Sequence, residues 1–305
     1  MSIVRDLIGK LKIGVMNPEA AVSFLRYRTI ETNRRFNYWR QGEQYYTDGT
    51  DIFEEDWDNL IILDACRYDE FRRCCDFEGR LERRTSYGSM SEEFVRGNFT
   101  GADATDTVYV SSNLWYAKLK DEIDTRVHRF IPVDRDSFNG ETSHPETVTE
   151  TARDAAKRYP NKRLIVHYLQ PHQPYFGEDG ERFRKPAQFP SELASEPVSH
   201  EDIVDAYRTT LQVTLTEVEK LLNDVDGRTV ITADHGELLG ERSQPIPIRH
   251  YGHPRGAYVD ELLTVPWFVV DTEKRKQIVD GGAAEEINID AESVDDQLEA
   301  LGYKF

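Results

Sequence analysis

The 305-residue chain has no apolar run long enough to cross a bilayer. Its longest, LIIL at 60–63 and VPWFVV at 265–270, fall far short of the roughly 20 residues a transmembrane helix needs. The N-terminus MSIVRDLIGKLKIGVM lacks the uninterrupted apolar core and small-residue cleavage site of a secretory signal, so a cytoplasmic location is expected. Cysteine is scarce. Cys66, Cys74 and Cys75 fit a reducing compartment rather than a disulfide framework, and their spacing matches no zinc pattern. Positive charge is short as well: 38 Lys and Arg against 56 Asp and Glu leave a net charge of −18. That balance excludes a nucleic-acid backbone as the main partner. Lysine is the rarer base, and few lysines in a heavily acidic chain predict a halophilic protein kept soluble in concentrated salt.

What is present alternates between two patterns. NLIILDA, RLIVHYLQ, RTVITADH and LTVPWFVV are short, apolar and rich in Ile, Leu and Val, as buried strands are. VTETARDAAKRY and HEDIVDAYRTTLQVTLTEVEKLLNDV read as helices, the second stopped by Gly227. Strands separated by long helices predict an α/β fold with a mostly parallel sheet covered on both faces. Length alone is compatible with one large domain, and the expected core spans 51–305.

Residues 1–50 differ in character, with eight Lys or Arg against five Asp or Glu and a helical spacing of apolar residues. This appended basic helical segment either packs on its own domain or makes a peripheral contact with a membrane or a protein. Gly, Pro and charge dominate 176–201, a surface excursion expected to line the substrate entrance. Its Arg182, Arg184 and Lys185 form a basic cluster suited to an anionic ligand, or simply a solvated charged patch.

In a parallel α/β sheet ligands gather at the carboxyl ends of the strands. One apolar run ends at Asp64, another at Asp234 and His235 with Gly236 allowing a sharp turn; His172 lies just beyond a third, and His250 and His253 occupy a Gly-rich loop before the last. Carboxylates and imidazoles converging from separate strands make a mixed O and N site for Mn, Zn or another divalent ion. Each residue also has a plain alternative: Asp64 as a helix cap, His172 as a turn residue before Pro174.

Together these stretches resemble the alkaline phosphatase superfamily, and within it the sulfatase-like hydrolases. The resemblance rests on Asp64-Ala-Cys-Arg67-Tyr-Asp69, Pro171-His172-Gln-Pro174-Tyr175, ADHGELLGE, YGHPRG before TVPWFVV, and the closing ALGYKF. It covers about residues 57 to 305 and implies a three-layer α/β/α sandwich. It also implies that Asp64, Asp234 and His235 bind a divalent metal (Mn, Zn, Mg or Ca), with Ser91 as both fourth ligand and nucleophile. His172 and His253 would contact the substrate or protonate the leaving group, and His250 is a further substrate-binding candidate. Arg67 and Asp69 would brace the first loop, whereas His128, His144, His167 and His200 fall outside the motifs and are taken as structural or surface residues. Because the resemblance begins near Trp57, removal of 1–50 is expected to spare the metal site.

The nucleophile region departs from the sulfatases proper. RRTSYGSMSEEFVRGNFTG has no cysteine, and neither Pro nor Arg follows Ser91 at the spacing that formylglycine formation uses. An unmodified serine at a helix N-terminus can still attack an anionic ester. Ser89 is the alternate nucleophile, or with Glu92 a capping box; Thr85 and Ser86 rank lower. The expected activity is phosphoester hydrolysis or transfer on a small-molecule or glycan-linked anionic ester. The alternatives are a sulfate-ester hydrolase with a modified Ser91, and a non-catalytic member binding anions or glycans.

Overall fold

A computed structural model of the chain describes residues 18–133, 142–177, 199–272, 274–281 and 291–300. The basic cluster Arg182, Arg184 and Lys185, the first 17 residues and the Leu301-Gly302-Tyr303 motif lie outside the described residues.

The elements run α1 (Pro18–Gln41), β1 (Asn59–Leu63), α2 (Tyr68–Cys74), β2 (Arg80–Thr85), α3 (Ser91–Phe99), β3 (Ala104–Ser111), α4 (Trp115–Ile123), β4 (Val127–Pro132), α5 (Pro145–Arg158), β5 (Arg163–Tyr168), α6 (His200–Leu222), β6 (Thr229–Thr232), β7 (Leu238–Ser243), β8 (Ile248–Gly252), α7 (Asp260–Leu263), β9 (Thr264–Val270) and α8 (Ala291–Ala300). Seven strands form one sheet in the order β2-β9-β6-β1-β5-β3-β4. The five from β6 to β4 are mutually parallel, and β9 runs antiparallel to both β6 and β2. β7 and β8 form a separate antiparallel hairpin.

The apolar strands occupy the centre because both of their faces are covered. Along β1, Leu60 and Ile62 join a core with Phe94, Phe99, Trp115 and Leu298 on one side of the sheet. Ile61 and Leu63 join a second core with Phe71, Val148, Leu211 and Val218 on the other. α3, α4 and α8 therefore cover one face and α2, α5 and α6 the opposite one, the three-layer sandwich expected. RLERRT of β2, with alternating charge and no fully buried residue, takes the sheet edge, where Arg and Glu discourage further pairing.

α6 starts on a capping box, Ser199 with Asp202, and ends at Leu222. Gly227 is not its stop. It lies five residues beyond, at φ +102°, in the turn that feeds β6, and a side chain there would run into the Asp58 carboxyl. The C-terminal α8 packs Val294 and Leu298 into the first core, and its Gln297 donates to Ser112 O at 3.2 Å. All three cysteines are free thiols.

α1 docks on the domain by one face. Asn33 donates to Ile246 O at 2.8 Å, Asn37 to Gly256 O at 2.6 Å, and the Tyr38 hydroxyl to Glu93 Oε1 at 2.7 Å. The chain that follows is tied in as well, with Tyr46 N bonded to Tyr87 O and Thr50 N to Thr85 O. Among the described residues no helix is long and apolar enough to cross a membrane.

Candidate metal centre and active site

Four adjacent parallel strands, β6, β1, β5 and β3, present polar residues at their carboxyl ends, and these residues meet. Asp64 follows β1, Asp234 and His235 follow β6, and ligand atoms of the three lie within 4.8 Å of one another, all buried. Ser91 opens α3 and donates its hydroxyl to Asp234 Oδ2 at 2.7 Å, with Asp64 Oδ2 at 3.4 Å and His235 Nε2 at 3.5 Å.

The local backbone explains the convergence. Ala65, directly after Asp64, takes a left-handed conformation at φ 60°, which is strained for a residue with a side chain. Its N–H donates to Asp234 Oδ1 at 3.1 Å, and its carbonyl accepts the Tyr207 hydroxyl at 2.8 Å. Asp234 Oδ1 also accepts from His235 N, so this oxygen is fixed by backbone donors while Oδ2 faces Ser91. Gly236 turns out to matter for space rather than for a special turn angle. A Cβ there would lie 2.0 Å from Glu261 O, and its N–H donates to Leu262 O. Arg67 braces the loop, gripping Asp69 with two bonds of 2.8 Å and reaching Glu241 at 2.6 Å on β7.

The residues fit a divalent cation. His235 Nδ1 lies 2.8 Å from Gly236 O, so Nδ1 carries the hydrogen and the Nε2 lone pair faces Asp64 Oδ1 at 3.5 Å and Asp234 Oδ2 at 3.4 Å. A cation between this lone pair and the two carboxylates would turn their mutual repulsion into ligation. Asp64 Oδ1 is buried and accepts no hydrogen bond. Two carboxylates, an imidazole and a hydroxyl suit Zn or Mn.

Electrostatics separates the two acids. Burial and the neighbouring Asp234 charge push Asp64 well above the usual carboxylate range. Burial acts on Asp234 too, but His235 and His167 beside it outweigh that effect and hold it below the usual range.

His172 and His253 adjoin the cluster. Their rings are centred 4.9 Å apart, and His253 is 4.6 Å from the ring of His235. His253 Nδ1 lies 2.7 Å from Glu237 Oε2. Burial would lower its pKa, yet the Glu237 charge and hydrogen bond raise it above the ordinary histidine value. His172 goes the other way, down to about 4, through burial and the nearby His253.

His250 is a correction. It is buried in β8 on the side of α1, where Arg26 rather than the carboxylate cluster acts on it, and burial lowers its pKa to about 4. Strand alternation separates it from His253, which stands beyond the end of β8. The Ser89–Glu92 capping box is a second correction. Met90 is the N-cap of α3 and makes no side-chain cap bond. Ser89 instead bonds Glu93 Oε2 at 3.0 Å and Pro254 O at 3.0 Å, so it ties α3 to the loop that carries His253. Ser86 donates to Asp234 O, and Thr85 pairs with Thr264 at the sheet edge, so neither faces the cluster.

Two residues of the site were missed by sequence reasoning. Asn113 donates from Nδ2 to Asp64 Oδ2 at 2.7 Å and to Ser91 Oγ at 2.8 Å. It stands just past the end of β3, VYVSSN, and the strand-end rule would have found it had that run been read as a strand. His167, set aside as structural or surface, is fully buried in β5 with Nε2 3.6 Å from Asp234 Oδ2 and Nδ1 2.9 Å from the Tyr109 hydroxyl. A histidine inside an otherwise apolar strand was the available signal. His144 caps α5, and His128 and His200 lie away from the cluster.

No protein-family model matches the chain, and no curated protein matches it in sequence. Solved structures do resemble it. The C-terminal periplasmic domain of EcEptC from Escherichia coli, in complex with Zn, is 13% identical with a TM-score of 0.47, covering 75% of this chain and 76% of that one. The soluble domain of lipooligosaccharide phosphoethanolamine transferase A from Neisseria meningitidis is 14% identical with a TM-score of 0.47, covering 69% and 75%. A protein in the alkaline phosphatase superfamily from Vibrio parahaemolyticus is 12% identical with a TM-score of 0.41, covering 76% and 63%.

Proposed function

We propose that this chain is a metal-dependent phosphoester hydrolase or phosphotransferase that works through Ser91. One observation carries the reading: the Ser91 hydroxyl sits against two buried carboxylates and His235 Nε2, with Asp64 Oδ1 left without a hydrogen-bond partner, an arrangement that a cation would complete. A divalent cation held by Asp64, Ser91, Asp234 and His235 would supply Lewis-acid polarisation of the phosphoryl group and favour ionisation of the serine.

The protein's own groups account for the rest. The Ser91 proton points at Asp234 Oδ2, and Asn113 Nδ2 donates to Ser91 Oγ, so the attacking lone pair is oriented before substrate arrives. Attack forms an Oγ–P bond, breaks the bond from phosphorus to the leaving oxygen, and delivers the serine proton to the facing carboxylate pair, in which Asp64 is the stronger base. His253, its pKa raised by the Glu237 carboxylate at 2.7 Å, is placed to give a proton to the leaving oxygen. Water or an acceptor hydroxyl then attacks phosphorus and loses its proton to His253, while Ser91 regains its own from the carboxylate pair as the Oγ–P bond breaks. His172 has its Nδ1 hydrogen committed to Gln173 O at 2.6 Å, and a bound phosphoryl anion would favour its taking up a second proton to face a non-bridging oxygen.

The substrate class that goes with this reading is a small-molecule or glycan-linked anionic ester. A sulfatase role would require oxidation of Ser91, whose flanking Glu92 and Glu93 do not supply the usual conversion context. Metal analysis followed by a panel of phosphomonoesters, phosphodiesters and sulfate esters tests the proposal. Stoichiometric divalent metal with turnover confined to phosphoesters is expected. Turnover confined to sulfate esters, or none with metal fully bound, would contradict it.

A further inference from the structure

α1 is anchored by one face only, and the opposite face is unlike the rest of the molecule. Val22, Leu25, Phe36 and Trp39 are 65%, 64%, 42% and 78% exposed. They fall at spacings of 3, 11 and 3 residues, so they share one side of the helix, in a stripe about 25 Å long at 1.5 Å per residue. Isolated exposed apolar residues are ordinary, but a row of four with two aromatic members is not.

Charge identifies what would cover it. From Pro18 to Gln41 the helix has five arginines and two acids, Glu19 and Glu31, within a chain of net charge −18. Glu31 is paired with Arg34 at 2.7 Å, and among the described residues the exposed Arg28 and Arg35 beside the apolar row form no ion pair. A second copy using the same face would bring these arginines against its own. An anionic lipid surface satisfies both features, taking the apolar row into the headgroup boundary and the guanidinium groups onto phosphates. Trp39 beside Phe36, ring centres 6.0 Å apart and flanked by Arg35 and Arg40, is the aromatic and basic mixture favoured at that depth. The sequence before α1 continues the trend, with Arg5, Lys10 and Lys12 against one acid, Asp6, among Ile3, Val4, Leu7, Ile8 and Leu11.

We infer that the outer face of α1 is a docking surface for an anionic lipid bilayer, on which the helix lies flat. The inner face of the same helix bonds Gly256 and Glu93, so docking sets the loop of His253 and the start of α3 close to the lipid surface.

Vesicle co-sedimentation of the full chain tests this, at the lowest salt that preserves its native circular dichroism. Binding to phosphatidylcholine vesicles containing phosphatidylglycerol is expected, with little to pure phosphatidylcholine and a decline as salt rises. Trp57, Trp115 and Trp267 are only 1 to 3% exposed, so a blue shift of tryptophan fluorescence on binding would report Trp39. The double variant Leu25→Ser, Trp39→Ser removes two exposed apolar side chains and should weaken partitioning by about tenfold or more with unchanged thermal stability. Arg28→Gln with Arg35→Gln should abolish the preference for the anionic lipid. Three results would overturn the inference: no binding to the mixed vesicles, equal binding by the variants, or a solution dimer that the Leu25→Ser, Trp39→Ser variant dissolves.

Discussion

At the residue scale the chemistry depends on which serine faces the carboxylates. Ser91→Ala removes the oxygen bonded to Asp234 and Asn113 but leaves Asp64, Asp234 and His235, so turnover should fall by orders of magnitude with metal still bound. Ser89→Ala should act on stability. It deprives buried Glu93 and Ala257 N of a partner, for a loss of about 1 to 3 kcal/mol in urea unfolding and only modest loss of activity. Asp234→Asn should abolish bound metal while the fold persists, and metal retained at one equivalent would remove Asp234 from the site. Much of this set was legible in the sequence because the residues directly follow apolar strand runs. Asn113 was not, since its strand carries the polar stretch ATDT before VYVS and does not read as an apolar run. His250 and His253 were hard to separate, being three residues apart in one polar stretch of sequence; only the end of β8 decides which of them faces the cluster.

At the element scale the central sheet was readable and its attachments were not. β1, β5, β6 and β9 are apolar because they are covered on both faces, a property written in composition. The hairpin β7–β8 is built of LLGERS and IRHYG, whose polarity gives no strand signal, and its role is to carry α1 on one side and His253 at its end. α1 was expected either to pack on its own domain or to make a peripheral contact, and it packs on the domain. Its Tyr38 completes the bonding of Glu93, the carboxylate that also holds Ser89 and Gly256. Tyr38→Phe should therefore cost about 1 to 2 kcal/mol although it lies outside the sheet. His250, buried between β8 and α1, predicts a pH effect of definite sign. Its folded pKa near 4 lies below the unfolded value of 6.5, so the unfolded chain takes up the proton first. Stability should be level above pH 6.5 and fall as pH drops toward 4, by up to about 3 kcal/mol from this group. His250→Asn should flatten that part of the urea-stability profile, and an unchanged slope would show that the imidazole is solvated.

At the scale of the whole molecule the net charge of −18 bears on where the protein is stable. Repulsion among excess carboxylates is screened by salt, so thermal stability should climb from dilute buffer to molar salt; an unchanged melting temperature would oppose the halophile expectation. The overall three-layer order followed from strands alternating with helices, but not the placement of the antiparallel β9 between β6 and β2, because strand direction within a sheet leaves no mark on an apolar run. The central claim is that Ser91 is the attacking group, and the most direct measurement is peptide mass spectrometry of protein quenched in acid during phosphoester turnover. A gain of one phosphoryl group on Ser91, absent from Ser91→Ala, is predicted. An unlabelled Ser91 during undiminished turnover, or a phosphoryl group on another side chain, would contradict it.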